Sequence, residues 1–290
     1  MKRALVLSGG GNKGAFEVGV LHQLITGEHL DFDLFSGTSV GALNAAFLAQ
    51  GANWEEQAAN IEILKSKWLN ISGNKEIYDY KPSNLMKLLF GGALYEPLGL
   101  QNLIQSLISP GRLAKGKPLL VPTVSLEDGA LYIADSRKPE DRRDMSRFLL
   151  ASASIPVYFP TVEIRGKHWV DGGLRNMTPL NAVLNEMPTE IVVVTTYPIT
   201  SQLEPLFPKF TEFKNIFAVI HRIIDILASE VAVDDLRITR QVYSISKNLF
   251  RKGGLTIITP GECINEKCLD FSPKILSKYY ELGVKAVRNL

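Results

Sequence analysis

The chain has 290 residues, enough for one large α/β domain or two small ones, and its 46% hydrophobic and 21% charged residues exclude a disordered polymer. A net charge of +2 is too close to balance for a nucleic-acid partner. No segment approaches the ~18 uninterrupted apolar residues of a membrane-spanning helix.

The chain opens on two basic residues, but only Ala4 to Leu7 follow as an apolar block. That is shorter than the ~7–15 apolar residues of a signal-peptide core, so "RALVLS" reads as a short buried strand. The expected location is cytoplasmic, with a signal-independent export route left open. "GGGNKG" is a glycine turn, and "AFEVGVLHQLIT" carries Phe16, Val18, Val20, Leu21 and Leu24 at helical spacing. "DFDLFSG" is a second strand and "SVGALNAAFLAQG" a helix closed by Gly51. Strand, glycine turn and helix, twice over, predict a parallel sheet with helices on its faces.

Residues 53–113 read as mainly helical, in "WEEQAANIEILKSKWL" and "LGLQNLIQSLI". Between these, "SNLMKLLFGGALYEPLGL" is apolar with glycine breaks, a composition suited to a mobile cover. "LLVPTVSLEDGALYIAD" predicts a hairpin turning at Asp128-Gly129, and "TVEIRGKHWVDGG" a second turning near Gly166. "EIVVVTTYP" is a β-branched run typical of a buried parallel strand. Residues 209–240 predict a long helical region, "GLTIITP" a last strand and "PKILSKYYELGVKAV" a closing helix. With no repeat, low-complexity tract or linker, a single domain is expected over 1–290. Its motif-bearing core covers about 4–200 and a C-terminal region about 205–290.

Three short stretches carry chemistry. Gly9, Gly11 and Gly14 satisfy the dinucleotide-binding pattern, and Asp31 and Asp33 follow about 20 residues later. That fingerprint wants its acid at the carboxyl end of the second strand, where "SGTSVG" stands instead. A phosphate loop fails because Lys13 is followed by Gly14 and Ala15. Consecutive glycines let backbone N–H groups converge on one point, an arrangement that suits a phosphate or the oxyanion of acyl transfer. A side chain at Gly11 is expected to obstruct that space. Gly37-Thr38-Ser39-Val40-Gly41 fits G-x-S-x-G between a strand and a helix, where the glycines would clear room for an ester at Ser39.

Ser39 needs a base. Of His22, His29, His168 and His221, only His221 follows the best acid, and it lies in the apolar "FAVIHRIIDIL". Asp171 ends "KHWVDGG" and precedes Gly172 and Gly173, which open room around it. A Ser-His-Asp carboxylesterase using His221 and a non-catalytic dinucleotide-binding protein stay open. Cys263 and Cys268 have neither a second pair nor a nearby histidine, so they read as free thiols, or as a local disulfide in an oxidising compartment.

Together, "SGGGNKG", "GTSVG" and "DGG" stand in the order and context of the patatin-like phospholipases. "ASASIPVYFP" and "DGGLRNMTPL" extend the likeness, which covers about 4–200 and returns weakly in "ELGVKAV". The resemblance implies a three-layer α/β/α fold with a mainly parallel sheet. It also implies a lipid acyl hydrolase that needs no metal, cofactor or histidine. Ser39 would be the nucleophile and Asp171 the general base. Gly9, Gly10, Gly11, Asn12, Lys13 and Gly14 would form the oxyanion loop, centred on the backbone of Gly10 and Gly11. Lys13 stands where arginine is commoner in the family, so a planar fork becomes a point charge. The implied partner is a phospholipid or other acyl lipid. Residues 85–98 and 206–227, the latter with Phe207, Phe210, Phe213 and Phe217 beside Lys209 and Lys214, suit either peripheral membrane contact or packing on the sheet. Oligomeric state has no signature in the sequence.

Overall fold

The computed structural model describes residues 2–80, 92–200, 202–206, 216–246, 254–262 and 268–288. Its first strand, β1 (Arg3–Leu7), leads through the glycine turn into α1 (Gly14–His22). The next unit is β2 (Leu34–Gly37) followed by α2 (Val40–Ala49). These strands are parallel, pairing Ala4 with Leu34 and Leu7 with Gly37. Helices α3 (Trp54–Leu69), α4 (Leu98–Leu107) and α5 (Pro110–Lys115) follow, with a small antiparallel pair, β3 (Asp79–Tyr80) and β4 (Tyr95–Glu96), between the first two.

Both predicted hairpins form. The first joins β5 (Leu119–Ser125) to β6 (Leu131–Asp135). The second joins β7 (Val162–Ile164) to β8 (Lys167–Asp171) across Arg165 and Gly166. Both of those turn residues have positive φ, as a type I′ hairpin demands. Two helices absent from the sequence reading, α6 (Pro139–Arg143) and α7 (Met145–Ser152), separate the hairpins. After α8 (Leu180–Leu184) come β9 (Glu190–Val194), α9 (Ile216–Ser246), β10 (Gly254–Ile258) and α10 (Pro273–Arg288).

The described strands form an eight-stranded sheet in the order β10-β9-β1-β2-β5-β8-β7, with β6 against β5. From β10 to β5 every pairing is parallel, which accounts for the continuous apolar runs. Alternate residues face opposite layers. Leu5, Leu7, Phe35 and Val121 join one core with helices α1, α2 and α10. Ala4, Val6, Leu34 and Val193 join another with Val183 of α8 and Val233 and Leu236 of α9. The architecture is the expected three-layer α/β/α. Helix α10 lies across α1 closely enough that a Cβ at Gly283 would stand 2.1 Å from the Phe16 carbonyl.

One feature of β5 sets the site. β6 occupies one edge over Leu120–Val124, so β2 and β8 must share the other. β2 runs parallel to β5, pairing as far as Ser36 with Leu120, and β8 runs antiparallel, ending with Asp171 opposite Thr123. Their carboxyl ends therefore approach head-on. Pro122, which has no N–H to leave unpaired, stands in the gap between the two ladders.

Candidate active site

Continuing the β2 register three residues past Ser36 brings Ser39 level with Thr123, the partner of Asp171. Residues 132 apart in sequence thus meet because two strands end on one edge. Ser39 has φ 56° and ψ −127°, a left-handed conformation that costs a non-glycine residue about 1–3 kcal/mol. Such strain is the mark of a serine held on a sharp strand-to-helix turn. The turn is possible because Gly37 and Gly41 lack side chains. A Cβ on Gly37 would stand 2.3 Å from the Gly41 carbonyl, and one on Gly41 2.5 Å from that of Ser8. The glycines thus let backbone meet backbone beneath the serine and do not clear space above it, a correction to the sequence reading.

Ser39 and Asp171 are each 5% exposed. The Ser39 N–H donates to Ser152 Oγ at 3.0 Å, and the Asp171 N–H to the Ser154 carbonyl at 3.1 Å. The "ASAS" stretch is therefore a bridge holding both backbones. Asp171 Oδ1 accepts the Gly173 N–H at 2.7 Å, while Gly172 packs against the Pro122 carbonyl. Burial pushes the Asp171 carboxyl up to about 7, against the pull of hydrogen bonds from the Gly173 N–H and the Ser39 side chain.

The glycine loop leaves β1 beside this pair. A Cβ on Gly9 would lie 3.1 Å from the Ser39 Cβ, so the loop backbone lies directly against the serine. The Gly9 N–H is bound to the Met177 carbonyl and the Asn12 N–H to that of Cys268. Those of Gly10 and Gly11 find no acceptor among the described residues. Gly11 has φ 61°, and its Cβ would stand 2.1 Å from the Cys268 carbonyl. A side chain there would dislodge the loop and not fill the space over Ser39, a second correction. Asn12 ties the loop to the Asp270 carbonyl at 2.8 Å, and Gly14 packs its α-carbon against Val40 and Trp68. Lys13 is buried with its ammonium 4.9 Å from the centre of the Tyr197 ring, a contact that a point charge makes as well as a fork does.

A cavity of about 280 Å³ opens at Ser39 and Gly11. It follows α2 through Val40, Leu43 and Phe47 and is walled by Leu103, Ile104 and Leu107 of α4. At 1.5 Å rise per residue, Phe47 lies about 12 Å along the helix from Ser39.

The rival readings find other geometry. His221 faces the Tyr158 hydroxyl at 3.2 Å, His22 bonds Glu62 and Tyr280, His168 bonds Glu127, and His29 packs on Trp54. Asp31 and Asp33 stand at the far end of β2, paired with Arg3 and Lys117. Among the described residues no three His, Cys, Asp or Glu side chains gather to hold a metal ion. Cys268 is a free thiol; Cys263 lies outside the described residues. No described helix is long and apolar enough to cross a membrane.

The chain is thus a three-layer α/β/α protein with a serine on a strained strand-to-helix turn, an aspartate facing it and a glycine loop beside it. The sequence matches the Patatin model, described as patatin-like phospholipase, over residues 5–184, and the chain belongs to that family. It is similar to two uncharacterized bacterial proteins. YjjU of Escherichia coli (strain K12) is 25% identical over 215 residues, covering 72% of this chain and 56% of YjjU. YqhO of Bacillus subtilis (strain 168) is 27% identical over 217 residues, covering 67% of this chain and 70% of YqhO. The chain thus spans little more than half of YjjU's length. The crystal structure of VipD from Legionella pneumophila is similar at a TM-score of 0.49 and 15% identity, over 99% of this chain and 66% of that one.

Proposed function

We propose that this chain hydrolyses carboxylic ester bonds of acyl lipids, with Ser39 as nucleophile and Asp171 as general base. The observation that carries this reading is the Ser39–Asp171 pair at the head of an apolar cavity. Asp171 takes the Oγ proton as Oγ bonds to the acyl carbon, and the carbonyl π pair moves onto oxygen. The N–H groups of Gly10 and Gly11, which have no acceptor among the described residues, receive that oxyanion; one such donor typically contributes ~10²–10³ in rate. As the tetrahedral adduct collapses, the ester C–O bond breaks and protonated Asp171 gives its proton to the leaving alkoxide. The ionised carboxylate next takes a proton from water, whose hydroxide attacks the acyl-enzyme. Collapse releases the fatty acid and returns the proton to Ser39 Oγ.

The cavity, about 280 Å³, lies just below the ~300–1,000 Å³ of small-molecule sites, which suits one narrow acyl chain. Each buried methylene contributes ~0.8 kcal/mol, so kcat/KM should rise about fourfold per methylene until the chain meets the end wall. Peripheral lipid contact is supported by α9, whose Ile216, Ile223 and Leu227 share one face and are 63%, 50% and 59% exposed. The phenylalanines and lysines at 207–214 and the apolar stretch 85–91 lie outside the described residues. The reading takes α9, β10 and α10 as part of one domain with the motif-bearing core.

A fluorophosphonate ester tests the proposal. It should label the wild-type chain at one residue, Ser39, with labelling lost in Ser39→Ala. An unlabelled, folded wild-type chain would sink the hydrolase reading.

A further inference from the structure

Outside the segment matched to the family, α9 carries a carboxylate that reaches back to the site. Asp235 is 8% exposed. Its Oδ2 accepts the Thr178 N–H at 2.9 Å, and the Met177 N–H also bonds the carboxyl. The Asn176 amide nitrogen donates to the same Oδ2 at 3.2 Å in the amide orientation that satisfies both groups. Three consecutive residues therefore direct donors at one buried anion. Burial pushes this carboxyl up to about 7, while the Thr178 and Met177 N–H groups pull it back.

From the other side, the same three residues touch the reactive groups. The Asn176 carbonyl accepts the Thr38 hydroxyl at 2.8 Å, one residue before Ser39. The Met177 carbonyl accepts the Gly9 N–H at 3.2 Å, and its sulfur lies 2.5 Å from where a Gly9 Cβ would stand. The Met177 methyl stands 2.4 Å from the corresponding point at Gly173, whose N–H holds Asp171. Residues 176–178 are thus a spacer touching all three loops; the Asn176 N–H donates to the Gly172 carbonyl at 2.9 Å, and the Met177 and Thr178 N–H groups turn to Asp235.

We propose that Asp235 is a positioning residue: by gathering the donors of residues 176–178 it fixes the spacing of the glycine loop, the Ser39 turn and the Asp171 loop. The inference rests on the hydrolase reading. A misplacement of ~1 Å among reacting groups costs ~10²-fold in rate, whereas the cavity walls, which bind the acyl chain, include none of residues 176–178. Loss of Asp235 should therefore lower kcat and leave KM in place.

The test uses the full chain with a p-nitrophenyl acyl ester, and hydrogen–deuterium exchange of the peptide covering 172–178. Asp235→Leu should lower kcat about 10- to 100-fold at unchanged KM and speed exchange of that peptide. Asp235→Asn, which keeps one acceptor oxygen, should fall between. Val233→Ala removes packing from the same helix without touching 176–178, and should hold kcat within about twofold. The proposal is overturned if folded Asp235→Leu turns over at the wild-type kcat, or if Val233→Ala slows turnover equally. Should Asp235→Leu not fold, Asp235→Asn decides: wild-type kcat and exchange would overturn the proposal. A wild-type chain that hydrolysed no ester would count against the hydrolase reading and not the clamp, which the exchange measurement reads by itself.

Discussion

As the general base of the proposed mechanism, Asp171 meets two opposed demands. To accept a serine proton it must be more basic than an ordinary carboxylate, near 3.9, yet it must be ionised when substrate arrives. Burial supplies the first, and the Gly173 N–H and Ser39 hydroxyl supply the second by stabilising the anion, leaving the group at about 7. kcat/KM should therefore climb about tenfold per pH unit up to about 7 and then level. Between the unfolded value of about 3.9 and the folded value near 7, the native chain holds a proton that the unfolded chain has lost. Its stability accordingly declines as pH rises through that window. Asp171→Asn escapes the cost, so it should melt above wild type at pH 8, with the difference shrinking toward pH 4. A difference that stays constant across that range in thermal melts would contradict the assigned shift. Ser39 and Asp171 were legible in the sequence because glycines interrupt the periodicity beside each. Asp235 was not: "VDDLR" offers two adjacent acids on an amphipathic helix. Only packing distinguishes the exposed Asp234, paired with Arg237, from the buried Asp235.

At the scale of elements, strands and hairpins could be read locally, since two-fold alternation, β-branched runs and turn residues are properties of neighbouring positions. The meeting of β2 and β8 on one edge of β5 could not, because strand pairing joins residues far apart in the chain. Helices α6 and α7 have no clear signature in the sequence for a different reason. Both are short, of five and eight residues, and α7 ends in the small polar residues of the "ASAS" bridge. The sequence places the glycines of the turns but not their purpose, since which backbone passes beneath them depends on the fold. The cavity between α2 and α4 gives the element scale its prediction. Leu107 lines it on α4, so Leu107→Trp should shift the preferred p-nitrophenyl ester to shorter chains by several carbons. Turnover of a two-carbon acyl ester should stay within about threefold. An unchanged chain-length profile in the folded variant would place the acyl chain elsewhere.

Across the whole molecule, the matched family segment ends at residue 184, yet the fold does not. β9 and β10 complete the parallel side of the sheet, α10 covers α1, and α9 covers the opposite face. The C-terminal region also carries His221, the histidine a triad would need, and holds it against the Tyr158 hydroxyl, so its removal separates a histidine base from a serine–aspartate pair. The most direct measurement compares initial rates of fatty acid release by Ser39→Ala, Asp171→Asn and His221→Ala at matched folded concentration. Nucleophile and base act as a unit, so the first two should each lose on the order of 10³-fold or more, while His221→Ala stays within a few-fold of wild type. A folded His221→Ala as inactive as Ser39→Ala, beside an active Asp171→Asn, would contradict the account.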